Sequence, residues 1–372
     1  MGAPKHQHFI PKSFLKQFAT KAEEGRYLVD TLMRGSDEIK TLTTTQVCVQ
    51  KNIYTFPPET PGDRFSLEKR YASEVDDIYP SVYNLLIDTE LTSLSKEQKR
   101  SVLNTILSLY FRTPFFLNDE NEKLDKSFDG FNDRLNSGDD IIEYIDEWNE
   151  AHVINMENIE EIRAALKVKN KLFFLDNHLE QWKRFVDYKM ECGIEVMEVP
   201  AEVPLISSDN PVLILGPDSK PNPHNIFDQH NIIEIALDRK HYLVIYPNAV
   251  SEGERLELRR GKRDKRFAAG VNLRTEETSD GRILGYPGDV KAHFESQKAL
   301  GAHTEENIKD FKNIRDKATG LAELFIIAKK TGSMFSKESI AKAKEIKDSG
   351  IMDNDDAFKK LMGTYSAMGI KL

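Results

Sequence analysis

Cysteine is nearly missing from this chain. Cys48 and Cys192 are the only two in 372 residues, far apart and in no Cys-x-x-Cys pair. That excludes a disulfide-built scaffold and a thiolate zinc cluster, and it favours a reducing compartment. No apolar run approaches the ~18 residues that a membrane helix needs, so no span is expected. The opening "MGAPKHQH" carries no charged patch ahead of an apolar stretch and does not read as a secretory signal. A cytoplasmic protein without membrane contact is the expectation. Excess positive charge is absent too. A net charge of -9 argues against wholesale coating of nucleic acid, although a local basic groove depends only on where charge sits. The sequence has no G-x-x-x-x-G-K-[ST] loop, G-x-G-x-x-G fingerprint, H-E-x-x-H pair or G-x-S-x-G elbow. ATP-driven, dinucleotide-dependent, zincin and α/β-hydrolase chemistries therefore lose their usual support, and no nucleotide cofactor is expected.

The residues that are present describe a globular chain. Hydrophobic residues make up 39% and charged residues 30%, enough for two or three layered units. The first sixty residues are mixed. Pro11 blocks an early helix, and Phe14, Leu15 and Phe18 then follow helical spacing. Two apolar stretches around "RGSDE" predict a hairpin. From Phe65 to about Met190 the pattern is helical. Leu67, Tyr71, Val75, Ile78, Val82 and Leu85 form one stripe that Pro80 is expected to kink. Ser95 and Gln98 make a capping box, and Pro114 closes the helix that they start. Residues 194–248 return to Val- and Ile-rich strands, and the last eighty or so read as polar helices. The expected class is α+β, with a short-strand sheet built from N-terminal and central segments, a helical middle and a helical C-terminal tail. Residues 1–290 would form the core, with a helical insertion at about 65–190, and 291–372 an extension.

Several constellations can carry chemistry. His6 and His8 share one side of an extended segment, so their imidazoles could hold a metal if a carboxylate joined them. A surface pair is the plain alternative. Asp209 and Asn210, in "LISSDNPVLIL", sit between apolar strands as either a tight corner or a presented carboxylate. Glu74 falls within the apolar stripe and calls for a partner, with Arg112 at the end of the next helix as the candidate. Arg112 could instead grip an anionic substrate. Residues 259–266, "RRGKRDKR", hold six basic residues and one acid. Arg259, Arg260, Lys262, Arg263 and Arg266 are accordingly candidate phosphate contacts, or a solvated loop.

These segments together resemble a bacterial family called domain of unknown function 4238. "QHFIPKSFLKQF" is similar to its His-aromatic-aliphatic-Pro opening, "LEKRYASEVDDIY" to its spaced glutamates, and "LSLYFRTPFF" to its helix ending in Arg-Thr-Pro. "LISSDNPVLIL" resembles its Ser-Asp-Asn-Pro-Val element, and "AGVNLRTEETSDGRILGY" its terminal element, over about residues 6–286. The resemblance singles out His8, Glu68, Glu74, Arg112, Asp209 and Asn210. It matches His8 better than His6. Where the family pattern has Pro-Leu-Ser, this chain has "IALDR", so a serine there would be missing.

The expected function is a metal-dependent phosphodiesterase or nuclease, a hydrolase of bacterial antiviral defence. His8 would be base or ligand, His6, Glu74 and Asp209 further ligands, and Arg112 and Asn210 substrate-facing. Magnesium or manganese suits the carboxylates, and zinc suits a site using both histidines. The alternative is a non-catalytic sensor or adaptor whose polar residues form a buried network and whose C-terminal helices bind a protein partner.

Overall fold

The computed structural model describes residues 6–57, 60, 62–217, 220–223, 225–247, 256–299, 320, 322–349 and 356–370. The chain divides into two compact units, Met1–Leu213 with Glu234–Val290, and Ile214–Ile233 with Lys291–Leu372. The fold is α+β.

In the first unit, β1 (His6–His8) pairs antiparallel with β5 (Val49–Lys51). Pro11 precedes a short helix, α1 (Lys12–Leu15), which buries Phe14 and Leu15. β2 (Thr20–Lys21), β3 (Tyr27–Met33) and β4 (Ile39–Thr43) come next, and β3 and β4 form the expected hairpin around "RGSDE". This sheet continues through β14 (Arg282–Gly285) to β9 (Ser207–Ser208), so N-terminal and central segments do share a sheet. A second sheet pairs β8 (Ile194–Glu198) antiparallel with β12 (His241–Ile245) and parallel with β13 (Leu258–Lys262). The central strands are thus divided between two sheets.

The helical middle departs from one kinked stripe. α2 (Ser66–Tyr71) runs into a π-turn (Ala72–Asp76), and a separate helix, α3 (Tyr79–Ile87), begins with Pro80 in its first turn. Proline lacks an N–H that the first turn does not need, so it starts this helix instead of bending one. α4 (Lys96–Phe111) carries the Ser95–Gln98 capping box and ends before Pro114. The acid-rich residues 118–150 form most of α5 (Phe115–Asn136) and include β6 (Ile142–Ile145), which pairs with β7 (Ala151–Ile154), and the 31-residue α6 (Ile159–Lys189) lies beyond. Here Phe128, Ile142, Ile154 and Leu166 build a local core. α7 (Lys265–Thr278) packs beside β9 and β14. In the second unit, residues 322–331, α8 (Lys337–Asp348) and α9 (Asp356–Ala367) are helical, and Leu324, Ala343, Ile346, Phe358 and Tyr365 form a small core. Among the described residues, no helix is long and apolar enough to cross a membrane.

Candidate functional site

Strand alternation sets the first side chains. Gln7 points inward, donating to Thr55 Oγ1 at 3.1 Å and accepting the Tyr54 N–H at 2.8 Å. His6 and His8 therefore share the opposite side, His6 exposed and His8 half-buried. His8 Nε2 lies 3.2 Å from the Thr44 carbonyl. A carbonyl only accepts, so Nε2 carries the proton and Nδ1 is left with a lone pair. Burial, with Lys12 and Arg112 nearby, lowers the His8 pKa to about 4 against the opposing pull of the Thr44 carbonyl and Asp76. The imidazole is neutral at pH 7.

Arg112 caps the end of α4 and is 1% exposed. Its guanidinium pairs with Asp76, donates to the His8 carbonyl at 2.9 Å, and lies 4.5 Å from the Tyr71 ring centroid. The Tyr54 hydroxyl donates to the Arg112 carbonyl at 2.5 Å. Burial disfavours the guanidinium charge, but Asp76 outweighs it and holds Arg112 protonated. The π-turn carries this partner. It closes from the Asp77 N–H to the Ala72 carbonyl at 3.0 Å, an i→i+5 bond, with Asp76 at its end paired to Arg112. Glu74 instead pairs with Arg70 at 2.8 Å, with 42% of its side chain exposed.

Glu68 completes this centre. Burial pushes its carboxyl pKa up and Asp76 adds to the shift, while Arg112 opposes it. Its Oε2 is buried and has no hydrogen-bond partner. A buried oxygen left in that state costs free energy, and each such atom requires an explanation. Two non-glycine residues with left-handed backbone, Cys48 at φ 53° and Asn52 at φ 55°, flank β5 beside this centre.

Asp209 lies in a different setting. Its two carboxylate oxygens accept the N–H groups of Asp280 at 3.0 Å and Gly281 at 2.9 Å, and its own N–H donates to the Arg282 carbonyl at 3.1 Å. A Cβ on Gly281 would stand 3.3 Å from Asp209 Oδ2, so glycine leaves room for this approach. Burial raises the Asp209 pKa, Asp280 adds to it, and the N–H groups counter it. Asn210 reaches the Thr278 carbonyl at 3.4 Å, and its Oδ1 is buried without a partner, as is Ser207 Oγ. Asn272 accepts the Ile206 N–H and donates to the Pro204 carbonyl, which fixes the approach to β9. Cys48 stands next to both settings. Its carbonyl accepts the Phe9 N–H at 3.0 Å, and its buried thiol feels the Asp209 charge.

Arg112 therefore gathers the His8 carbonyl, Asp76, Tyr54 and Tyr71, and Glu68 feels the Arg112 and Asp76 charges. His6, His8, Glu74 and Asp209 are not gathered into one ligand set. Among the described residues, only Asp146, Glu150 and His152 bring three candidate ligand atoms within 4.8 Å. A cation already serves that cluster. Lys169 Nζ bonds Glu150 and lies 3.2 Å from Asp146 Oδ2, which also takes His152 Nε2 at 2.9 Å. The basic stretch is largely engaged as well. Arg260 donates to the carbonyls of Leu86, Asp88 and Leu91 around the end of α3. Arg259 pairs with Glu257 at 3.2 Å and Arg263 with Glu195 at 3.1 Å, while Lys262 and Arg266 are exposed.

The chain matches the family described as protein of unknown function (DUF4238) over residues 6–289. It belongs to this family. Neither a curated protein nor a solved structure matches it. The three family-like segments that carry His8, Glu68 and Arg112 are far apart in sequence, yet in this DUF4238 member they converge on one centre. Sequence pattern does not single out Asp76, because a π-turn leaves no simple periodic mark.

Proposed function

We propose that this protein is a hydrolase whose reacting groups are His8 and Glu68, and that its substrate is a phosphodiester such as nucleic acid. The observation that carries the proposal is Glu68, whose carboxylate is pushed towards its neutral form and keeps a buried oxygen without a partner. Groups with displaced pKa values gathered in one place are the usual mark of reactive centres. With its proton fixed on Nε2, His8 offers Nδ1 as the base that takes a proton from an attacking water. Glu68, shifted towards protonation, is suited to return a proton to the leaving oxygen. Arg112 is a positioning residue. Its guanidinium is occupied by Asp76 and the His8 carbonyl, so it holds β1 in place instead of gripping a phosphate. Should magnesium or manganese take part, Glu68 and Asp76 are the carboxylates nearest this chemistry. A cytoplasmic role in antiviral defence belongs to the same proposal.

One observation favours the adaptor alternative. Arg112 is buried and engaged by Asp76 and the His8 carbonyl, as in a structural network. The test uses the full chain with short DNA and RNA strands and with bis(4-nitrophenyl) phosphate, each with manganese, with magnesium and with a chelator. Cleavage should fall at least ~100-fold in His8→Ala and in Glu68→Gln, at the scale of a lost acid or base, with cooperative melting retained. No cleavage by the wild type, or equal cleavage by the variants, would move the function to the adaptor.

A further inference from the structure

The β6–β7 hairpin has two faces of opposite character. Its inward residues, Ile142, Tyr144 and Ile154, pack on Phe128 and Leu166. Its outward residues do not return to the core. Ile141, Ile145 and Val153 are 55%, 65% and 54% exposed, and Met156 just beyond is 54% exposed. Cross-strand register places Glu143 opposite Val153 and Ile145 opposite Ala151, so the exposed apolar side chains are neighbours on one surface. Isolated exposed apolar residues are ordinary, but Ile145 and Val153 on the outward face, with Ile141 at the start of β6, form a patch that points to an interface. Among the described residues, β6 and β7 pair only with each other, which leaves unpaired strand edges.

Charge indicates what covers this face. Residues 139–157 contain seven acidic residues (Asp139, Asp140, Glu143, Asp146, Glu147, Glu150 and Glu157) and no Lys or Arg. Asp139 pairs with Arg134, and Asp146 and Glu150 with Lys169, so the charge of the face rests on Asp140, Glu143, Glu147 and Glu157. A second copy of it would still set acid against acid. The hairpin is also held in a fixed shape. Asp146 Oδ1 accepts the N–H groups of Trp148 and Glu150, and Oδ2 meets His152 and Lys169 of α6. A surface fixed in advance loses little freedom on binding.

We propose that an open edge of β6–β7 takes up an extended segment of another protein whose outward-facing residues, every second position, include both apolar side chains and Lys or Arg. The segment adds to an open strand edge, sets its apolar side chains against Ile141, Ile145 and Val153, and meets Glu143 and its acidic neighbours with its cations. This docking does not depend on the hydrolase proposal.

The probe is a labelled twelve-residue peptide with valine and lysine in turn at its odd positions and threonine at its even positions, and the control has glutamate in place of lysine. Binding to the full chain is read by fluorescence anisotropy at low and high salt. The lysine peptide should bind at low salt and weaken as salt rises, and the glutamate peptide should not bind. Ile145→Ser with Val153→Ser should weaken binding at least ~10-fold, the scale of a lost apolar contact pair, without changing the melting temperature. Binding that the double variant leaves unaltered would overturn the proposal, as would equal binding of both peptides or no binding of either. A dimer in sedimentation that Ile145→Ser dissolves would also overturn it, in favour of self-association.

Discussion

Two clusters in the first unit use the same kinds of residue, and they differ in how completely they are satisfied. Around Asp146, both carboxylate oxygens are taken by two backbone N–H groups, a histidine and a lysine, all close in the chain or on the adjoining helix. Around Arg112, Asp76, the His8 carbonyl and Tyr71 engage the cation, yet its buried Nε has no hydrogen-bond partner and Glu68 beside it likewise retains a buried oxygen without one. Each cluster holds a histidine, carboxylates and a cation. The first fixes a hairpin, whereas the second keeps a carboxylate in a state that a purely structural network would have avoided. The two clusters therefore differ in their satisfied atoms and not in residue type.

The comparison breaks most visibly at Arg112. Arg112→Ala leaves Asp76 without its cation and opens a space against Tyr71, so unfolding in urea should show a loss of about 3–5 kcal/mol. A loss under about 1 kcal/mol, the scale of an exposed ion pair, would mean that the centre does not hold β1 to α4. Next comes Asp209→Asn. An amide has one acceptor oxygen, and its NH2 would face one of the two N–H groups at Asp280 and Gly281. The expected cost is about 1–3 kcal/mol, with no dependence on added manganese. A manganese-induced rise in melting temperature that Asn abolishes would restore Asp209 as a metal ligand.

The staple should respond more mildly and with a distinct pH dependence. Burial raises the Asp146 pKa, but its bonds from His152, the Glu150 N–H and Lys169 outweigh that and hold it at about 2. A depressed carboxyl stabilises the fold above its ordinary pKa near 4 and loses that contribution as pH falls towards 2. Asp146→Asn should therefore lower the melting temperature by a few degrees at pH 7, and by much less at pH 2. An equal difference at both values would remove the charge from the explanation. His8 has the opposite chemical type but a similar direction. The fold holds it neutral, so its contribution is complete above about 6.5 and is lost as pH falls to about 4. In His8→Gln that part of the acid sensitivity should vanish.

The smallest effect belongs to the basic stretch. With Arg259, Arg260 and Arg263 engaged by the protein itself, Lys262→Gln with Arg266→Gln should change the salt slope of any nucleic-acid binding by less than about two, the limit for two phosphate contacts. A larger change would make this stretch the nucleic-acid surface.

The sequence announces local devices and conceals distant ones. The Ser95–Gln98 cap, the β3–β4 hairpin and the alternation of His6 and His8 each depend on neighbours within a few residues, and each is legible. Pro80 does mark a break in the apolar stripe, yet it starts a helix there instead of kinking one. Asp76 is hidden because it ends a π-turn, which helical periodicity cannot anticipate. The bonds from Asp280 and Gly281 to Asp209, and from Arg260 to the end of α3, span 71 to 174 positions. Such pairings leave no trace in local pattern, which is why "RRGKRDKR" reads in isolation as a free basic patch.

The central claim is that Glu68 is kept for chemistry and not for stability, and one measurement addresses it without any knowledge of the substrate. A carboxyl whose pKa is raised by folding destabilises the fold once it ionises, so replacing it by a neutral amide relieves that cost at high pH and has little effect where the acid is already protonated. Thermal melting of the wild type and Glu68→Gln should be compared at pH 8 and pH 4. The account predicts that Glu68→Gln melts at or above the wild type at pH 8, with the difference shrinking towards pH 4. A variant that melts well below the wild type at pH 8 would show that the Glu68 carboxylate supports the fold, and would contradict the account.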